Sequence, residues 1–209
     1  MLVIGAKGFA TELLDVIIDN GMQNNLCFYD DINKNKEGYV FNKYPIINSE
    51  EKATEYFKNT DTQFCLGIGN PQIRNALSEK FIKMGGELTS VISLYAKISN
   101  NGSVIGQGAT VLHYCTIASN VQIGKAPLIY HNVQITHDCI IGDYAELSPG
   151  AIILGRVKVG NNVHIGANAT ILPNIEIGNY CIIGAGAVVT KNVPDNSVVA
   201  GVPAVPLSR

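Results

Sequence analysis

No run of lysine and arginine occurs in this 209-residue chain, and its basic residues form no stripe. Nucleic acid is therefore not expected as a partner, because phosphate recognition starts from clustered positive charge. Charge of either sign is scarce: 15 Lys and Arg against 17 Asp and Glu, 15% of the residues, for a net charge of -2. Long hydrophobic runs are missing too. Each apolar stretch is soon broken by Gly, Asn or a charge, so none approaches the ~20 residues of a membrane span. The opening MLVIG has no signal-peptide pattern, and five irregularly spaced cysteines make no disulfide framework. A cytoplasmic protein with reduced thiols is the expectation. What the chain does have is apolar residues, 46% of the total, enough for one large or two small cores.

Residues 1–92 alternate short β-rich runs with helical ones. LVIG (2–5) reads as a strand, and FATELLDVIIDNG (9–21) carries apolar residues at helical spacing up to a terminal Gly. LCFYD (26–30) and TQFCLGIGN (62–70) read as strands, and ELTSVI (87–92) as a fourth. Ser49 stands as N-cap before an acidic first turn, and Pro71 opens a segment that ends at Gly85-Gly86. Alternation of this kind predicts a small parallel sheet with right-handed crossovers.

From residue 105 the pattern changes. Written in sixes, the chain has Ile, Val or Leu at fifteen successive first positions, and Ala, Cys, Val, Ile or once Pro at the fifth. Glycines at 106, 124, 142, 160 and 178 add a period of 18, so three hexapeptides make one coil. A repeat this short suits one strand plus a corner, stacked as a β-solenoid with coils ~4.8 Å apart. Upstream, Ile98 is seven residues before Ile105, which predicts an irregular first coil; Pro194 begins a capping tail.

The phase separates residues that look like a cluster. In ITHDCI (135–140), positions one and five point inward, so Cys139, like Cys115 and Cys181, is a buried space-filler. His137 and Asp138 are at positions three and four, an outward corner, where a carboxylate can fix the imidazole tautomer. His113 and His131 occupy one corner on successive coils and read as exposed corner residues. GAKGFA (5–10) is less than a dinucleotide fingerprint; Gly5 and Gly8 serve either a tight turn or a backbone approach to phosphate at a helix N-terminus. Asp30 and Asp31 are either acceptors for a base or ribose or solvated loop carboxylates.

The IGxxA hexapeptides, HDCIIGD, IGAGAVVTKNVPDNSVVAGVPA and the N-terminal VIGAKGFATELLDVI…FYDD…IGNPQIR together resemble the bacterial sugar acyltransferases. That family includes nucleotide-4-amino-sugar N-acetyltransferases of surface-glycan pathways and sialic acid O-acetyltransferases. The resemblance implies a Rossmann-like α/β nucleotide-sugar-binding domain at 1–92, then a left-handed parallel β-helix with a C-terminal cap at 93–209. It also implies acetyl-CoA as acyl donor, a nucleotide-sugar acceptor, a homotrimer and no metal. Carried onto this chain, His137 is the general base, Asp138 the acid that orients it, and Gly155 the backbone donor to the thioester oxygen. Gly155, Gly166, Ala167, Gly184, Ala185, Lys191, Val202, Pro203 and Ala204 would line the acetyl-CoA groove. Gly5, Gly8, Asp30, Asp31, Gly69 and Asn70 would contact the sugar nucleotide.

Two positions beside the acceptor depart from the amino-sugar members: Glu146 stands where a His is frequent, and Tyr130 where several have Asn. With His131 they neighbour the acceptor site. Glu146 precedes His164 by eighteen residues, so the two are expected to stack and pair. O-acetylation of a sugar such as sialic acid is the alternative chemistry. A β-helix carbonic anhydrase using His113, His131 and His137 has the wrong ligand spacing, and a non-catalytic scaffold would leave HDC unexplained.

Overall fold

A computed structural model describes residues 1–32 and 38–207. The N-terminal elements run β1 (Leu2–Ile4), α1 (Phe9–Asp19), β2 (Cys27–Tyr29), β3 (Tyr39–Val40), β4 (Tyr44–Ile47), α2 (Glu50–Asn59), β5 (Gln63–Leu66), α3 (Pro71–Lys83) and β6 (Glu87–Leu88). They form one sheet in the order β3-β4-β2-β1-β5-β6, parallel except for the β3–β4 pair. The strands LVI and CFY are buried throughout, as a parallel sheet covered on both faces requires. The expected Ser49 cap is present, and Asn70 caps the helix that Pro71 opens. Ser49 Oγ accepts from the Lys52 amide at 3.4 Å, and Asn70 Oδ1 accepts from the Ile73 amide at 3.0 Å, ahead of Pro71.

Two features differ from the sequence reading. ELTSVI is not one strand: β6 ends the α/β sheet, while Val91–Ile92 pairs with Thr110–Val111 in a separate sheet. The chain turns at Thr89-Ser90, polar residues that the apolar ends of the segment mask. The β3–β4 pair gave no sequence signal, because Pro45 interrupts the apolar pattern of YPII.

The remainder is a three-sided parallel β-helix. The first face stacks Val91–Ile92, Thr110–Val111, Leu128–Ile129, Glu146–Leu147, His164–Ile165, Ile182–Ile183 and Val198–Ala200, closed by an antiparallel Val205–Pro206. The second runs from Lys97–Ile98 to Val188–Val189, and the third from Val104–Ile105 to Glu176–Ile177. From residue 104 to residue 189 the strands pair at a register of eighteen, as with Gln134↔Ile152 and Glu146↔His164, before the last coil shortens to sixteen at Ile182↔Val198. First- and fifth-position residues such as Ile135, Cys139, Ile153 and Val157 form the core.

Every fourth-position residue from Gly108 to Gly186 has positive φ, between 48° and 76°. This explains why Gly and Asn recur there, since both enter the left-handed region at low cost. The period-18 glycines lie at the third corner, between the third face and the first. There the amides of Lys125, Asp143, Asn161 and Asn179 are capped by Asp143, Asn161, Asn179 and Asp195 side chains at 2.7–2.8 Å. A Cβ on Gly124, Gly142 or Gly178 would strike the capping oxygen.

Not every second, fourth and sixth position faces solvent. Leu112, Ala126, Leu128, Tyr144 and Glu146 are buried, because the α/β domain lies against the first face and its flanking corner. Arg74 on α3, 2% exposed, ties the halves together. Its guanidinium donates to the carbonyls of Tyr144 at 2.7 Å, Ala145 at 3.1 Å, Ala126 at 3.3 Å and Gly69. Burial pushes its pKa down to about 10, still charged at neutral pH. Arg74→Leu would strand these carbonyls and leave Glu146 without its cation. A loss of about 3 kcal/mol is expected in urea denaturation. A loss below about 1 kcal/mol would show that the apolar contact alone holds the domains.

Candidate active site

His137 and Asp138 project from the second corner, between the second and third faces. Asp138 has φ 60°, and its Oδ2 is 2.7 Å from His137 Nδ1. Its other oxygen, Oδ1, accepts from Asn120 Nδ2 at 2.7 Å, one coil earlier. These bonds, Asn120's first and then His137's, hold the Asp138 carboxyl below the usual carboxylate range. An ionised partner assigns the proton to His137 Nδ1, which leaves Nε2 as a lone-pair acceptor. Nε2 has no hydrogen-bond partner among the described residues.

Gly155 lies under the ring. A Cβ there would be 2.7 Å from His137 Cε1 and 2.8 Å from Nε2, so only glycine lets the imidazole occupy this position. The Gly155 N–H donates no hydrogen bond among the described residues, unlike the capped amides of the third corner. Cys139 points into the core, fully buried, with Sγ toward the Leu154 carbonyl at 3.2 Å, and burial raises its thiol pKa. An inward, protonated thiol is no nucleophile.

Gly166, Ala167, Gly184 and Ala185 lie on the first corner, between the first and second faces, one corner away from His137. A Cβ on Gly166 or Gly184 would meet the next coil, so stacking alone accounts for these two glycines. Lys191, Pro203 and Ala204 line a cup of about 280 Å³ at the tail, beside the exposed Val202. His113 and His131 share the first corner with ring centroids 5.4 Å apart. His113 Nδ1 contacts Ser93 Oγ at 2.6 Å, and His137 belongs to the other corner. Among the described residues no group of three His, Cys, Asp or Glu could hold a metal ion.

Gly5, Asp30 and Asp31 converge on a cavity of about 300 Å³ at the carboxyl end of the α/β sheet, walled by Ile4, Ile68, Ile73 and Leu77. A Cβ on Gly5 would come within 2.7 Å of the Gly67 carbonyl oxygen, so the two loops touch backbone to backbone. Asp31 Oδ2 accepts from Tyr29 OH at 2.9 Å and is 3.6 Å from Lys80 Nζ. Gly8 caps α1 with φ 52°, and Asn70 caps α3 through its side-chain oxygen. Gly69 faces the β-helix instead: Glu146 Oε1 and Tyr130 OH lie 3.7 and 3.9 Å from where its Cβ would be.

Glu146 is buried at this junction, with Oε1 3.8 Å from His164 Nε2 and Oε2 4.0 Å from Arg74 Nη1. It stacks on His164 as expected, yet both contacts are longer than hydrogen bonds, and His164 Nε2 bonds Ser148 Oγ at 3.1 Å. Tyr130 packs on Phe9 with centroids 5.1 Å apart. Arg74 and Asn120 are the members of these networks that the sequence did not mark. The hexapeptide phase held the signal for Asn120, eighteen residues before Asp138; Arg74 had none.

An α/β domain with a cavity at the carboxyl end of its sheet, a β-helix of hexapeptides and a corner His–Asp pair define a hexapeptide-repeat transferase architecture. Comparison agrees: residues 1–81 match the family described as PglD N-terminal domain, and 120–155 and 156–191 match the bacterial transferase hexapeptide family (six repeats). The GDP-perosamine N-acetyltransferase of Escherichia coli O157:H7 is 31% identical over 163 residues, 74% of this chain and 70% of the relative. The acetyltransferase domain of PglB from Neisseria gonorrhoeae FA1090, solved with acetyl coenzyme A, superposes with TM-score 0.90 at 28% identity, covering 99% of this chain and 98% of that one. PerB from Caulobacter crescentus, solved with CoA and GDP-perosamine, superposes with TM-score 0.91 at 25% identity, covering 99% and 96%. The chain belongs to the bacterial sugar acyltransferase family with a parallel β-helix. It is an acyltransferase.

Burial raises the Glu146 carboxyl above its ordinary value of 4.5, with His164 and then Arg74 opposing the shift. The folded state thus binds this proton more tightly than the unfolded chain does. The associated stability is complete below the unfolded value and is lost as pH rises through the folded one. Glu146→Gln cannot ionise, so its Tm relative to the unsubstituted protein should climb as pH rises from about 4 to 7. A difference that stays flat or falls would mean that Arg74 and His164 fully compensate the buried charge.

Proposed function

We propose that this acyltransferase moves the acetyl group of acetyl-CoA onto the amino group of a nucleotide-linked amino sugar, a 4-amino sugar of surface-glycan biosynthesis. The observation that carries the reading is the second corner, where Asp138 holds Nδ1 of an imidazole whose Nε2 is open and which rests on Gly155. The acceptor amine attacks the thioester carbonyl while His137 Nε2 takes its proton. The Gly155 N–H, and other uncapped amides of the corner, are of the right type to hold the oxyanion. Collapse of the tetrahedral adduct breaks the C–S bond, and the coenzyme A thiolate leaves with the proton returned by His137. Transfer is direct, since Cys139 is turned into the core.

The other assignments follow the same reading. The cavity at Gly5, Asp30 and Asp31 takes the nucleotide, Gly8 and Asn70 cap the helices next to it, and Gly69 faces the junction with the β-helix. Gly166, Ala167, Gly184, Ala185, Lys191 and Val202–Ala204 take the coenzyme A arm. Apart from Lys191, which shares the second corner with His137, the glycines and alanines of this lining are on the first corner, a different edge of the chain from the base. A homotrimer of side-by-side β-helices would join them in one groove, which supports that assembly. The relatives bound to CoA and GDP-perosamine support the substrate class. Tyr130, His131 and Glu146 select the acceptor. The anionic Glu146 in place of a common His also keeps sugar O-acetylation in play, and a substrate panel separates the two.

The test is acetyl-CoA-dependent thiol release with UDP-, GDP- and dTDP-amino sugars and free sialic acid. One amino sugar should turn over, and His137→Ala should lower its kcat by about 10²–10⁴-fold without changing coenzyme A affinity. Full activity of that variant, or release with sialic acid alone, would refute the assignment.

A further inference from the structure

The fourth-position residues of the second corner form a column unlike those of the other two. Asn120, Asp138, Arg156 and Asn174 follow at intervals of eighteen, all with φ between 57° and 64°. Asn120 Nδ2 donates to Asp138 Oδ1 at 2.7 Å, and Arg156 Nε donates to Asn174 Oδ1 at 2.7 Å. The first corner carries Tyr114, Asn132, Gly150 and Asn168, and the third Ala126, Tyr144, Asn162 and Tyr180. Among the described residues no side-chain hydrogen bond joins neighbours within either of those columns. A side-chain bond of this kind is therefore not part of the general stacking of the repeat.

We infer that Asn120 is a positioning residue that locks Asp138, and through it the His137 imidazole, in the orientation that transfer requires. The inference rests on His137 being the base. The His137 and Asp138 side chains are 54% and 42% exposed, so apart from the ring's contact with Gly155 about half of each is in solvent. In water one hydrogen bond holds a net ~1 kcal/mol, too little to hold a freely rotating carboxylate and a ring together. A second anchor on Oδ1 sets the carboxylate plane and leaves Oδ2 aimed at Nδ1. The Asn120 backbone N–H donates to the Asn101 carbonyl at 2.8 Å, which fixes the main chain from which the side chain projects. An amide suits the task because it donates without charge, keeping Asp138 ionised. A Lys or Arg there would neutralise the carboxylate that His137 needs. The charged groups around this corner are Asp138 itself and Arg156 on the following coil.

Two substitutions separate positioning from packing. Asn120→Gly removes the donor and tolerates the positive φ, so it should fold. Asn120→Asp keeps the shape but stacks a second carboxylate on Asp138. With the full chain, the His137 imidazole is followed by NMR against pH, which needs no acceptor substrate. Its titration midpoint should fall in Asn120→Gly, where the aligned carboxylate is lost, and rise in Asn120→Asp, where negative charge is added. With the acceptor found in the panel, Asn120→Gly should lower kcat between about 10- and 100-fold at unchanged KM for acetyl-CoA. The acid limb of kcat/KM should move with the NMR midpoint. Midpoints unmoved in both variants, or kcat within twofold of the unsubstituted protein, would overturn the inference. His137→Ala in parallel separates the two failures. If it retains activity the base is misassigned; if it is inactive while both Asn120 variants behave normally, only the positioning role falls.

Discussion

Backbone amides in each coil of the β-helix donate to carbonyls in the next, as Thr136 does to Ile153 and Ile140 to Val157. A residue at a corner therefore has its neighbours chosen for it: they are the residues eighteen places before and after. This geometry puts Asn120, Asp138 and Arg156 in one column and lays the His137 ring on Gly155. It also makes the left-handed φ at every fourth position compulsory, so the direction in which Asp138 leaves the backbone is set before any side chain acts. Pre-organisation here comes from the main chain, and the few side chains of the site need only point along it.

The α/β domain depends on the same regularity in another way. Its docking surface is the first face and the corner beside it, where Leu112, Ala126, Leu128 and Tyr144 replace the exposed residues expected from the repeat. A flat stack of coils offers carbonyls at fixed intervals, and Arg74 collects those of Ala126, Tyr144 and Ala145 with one guanidinium. Glu146 is drawn into this junction beside Arg74 and His164, within reach of the loop that carries Gly69. The cavity domain and the β-helix thus meet at a buried, partly satisfied charge cluster instead of a wholly apolar seam.

Much of this was legible from residue patterns, for a physical reason. The coil period, the inward thiol of Cys139, the outward His137–Asp138 corner and the stacking of Glu146 on His164 all follow from hexapeptide phase, because a solenoid converts sequence distance into spatial contact. The helix cap at Ser49 and the start of α3 at Pro71 were equally local. What the pattern could not reveal was long-range contact between unlike parts. Arg74 looks like an ordinary helical arginine until the carbonyls it meets are known. The buried second and sixth positions of the first face look like exposed ones until a domain covers them. The break within ELTSVI, where the chain passes from one sheet to the other, follows from sheet partners and not from propensity.

The three corners are chemically different although the repeat makes them geometrically alike. Among the described residues, side chains cap third-position amides at the third corner alone, where Asp143, Asn161, Asn179 and Asp195 consume them in sequence. The first and second corners keep these amides free, and there the candidate coenzyme A lining and the candidate base are found. A capped corner is stable and inert; an uncapped one keeps donors in reserve for a ligand, at some cost in stability. In a repeat protein, then, the place to look for chemistry is where the repeat stops satisfying its own backbone. By that criterion Gly155, with its unused N–H beneath an oriented imidazole, is as informative as the histidine itself.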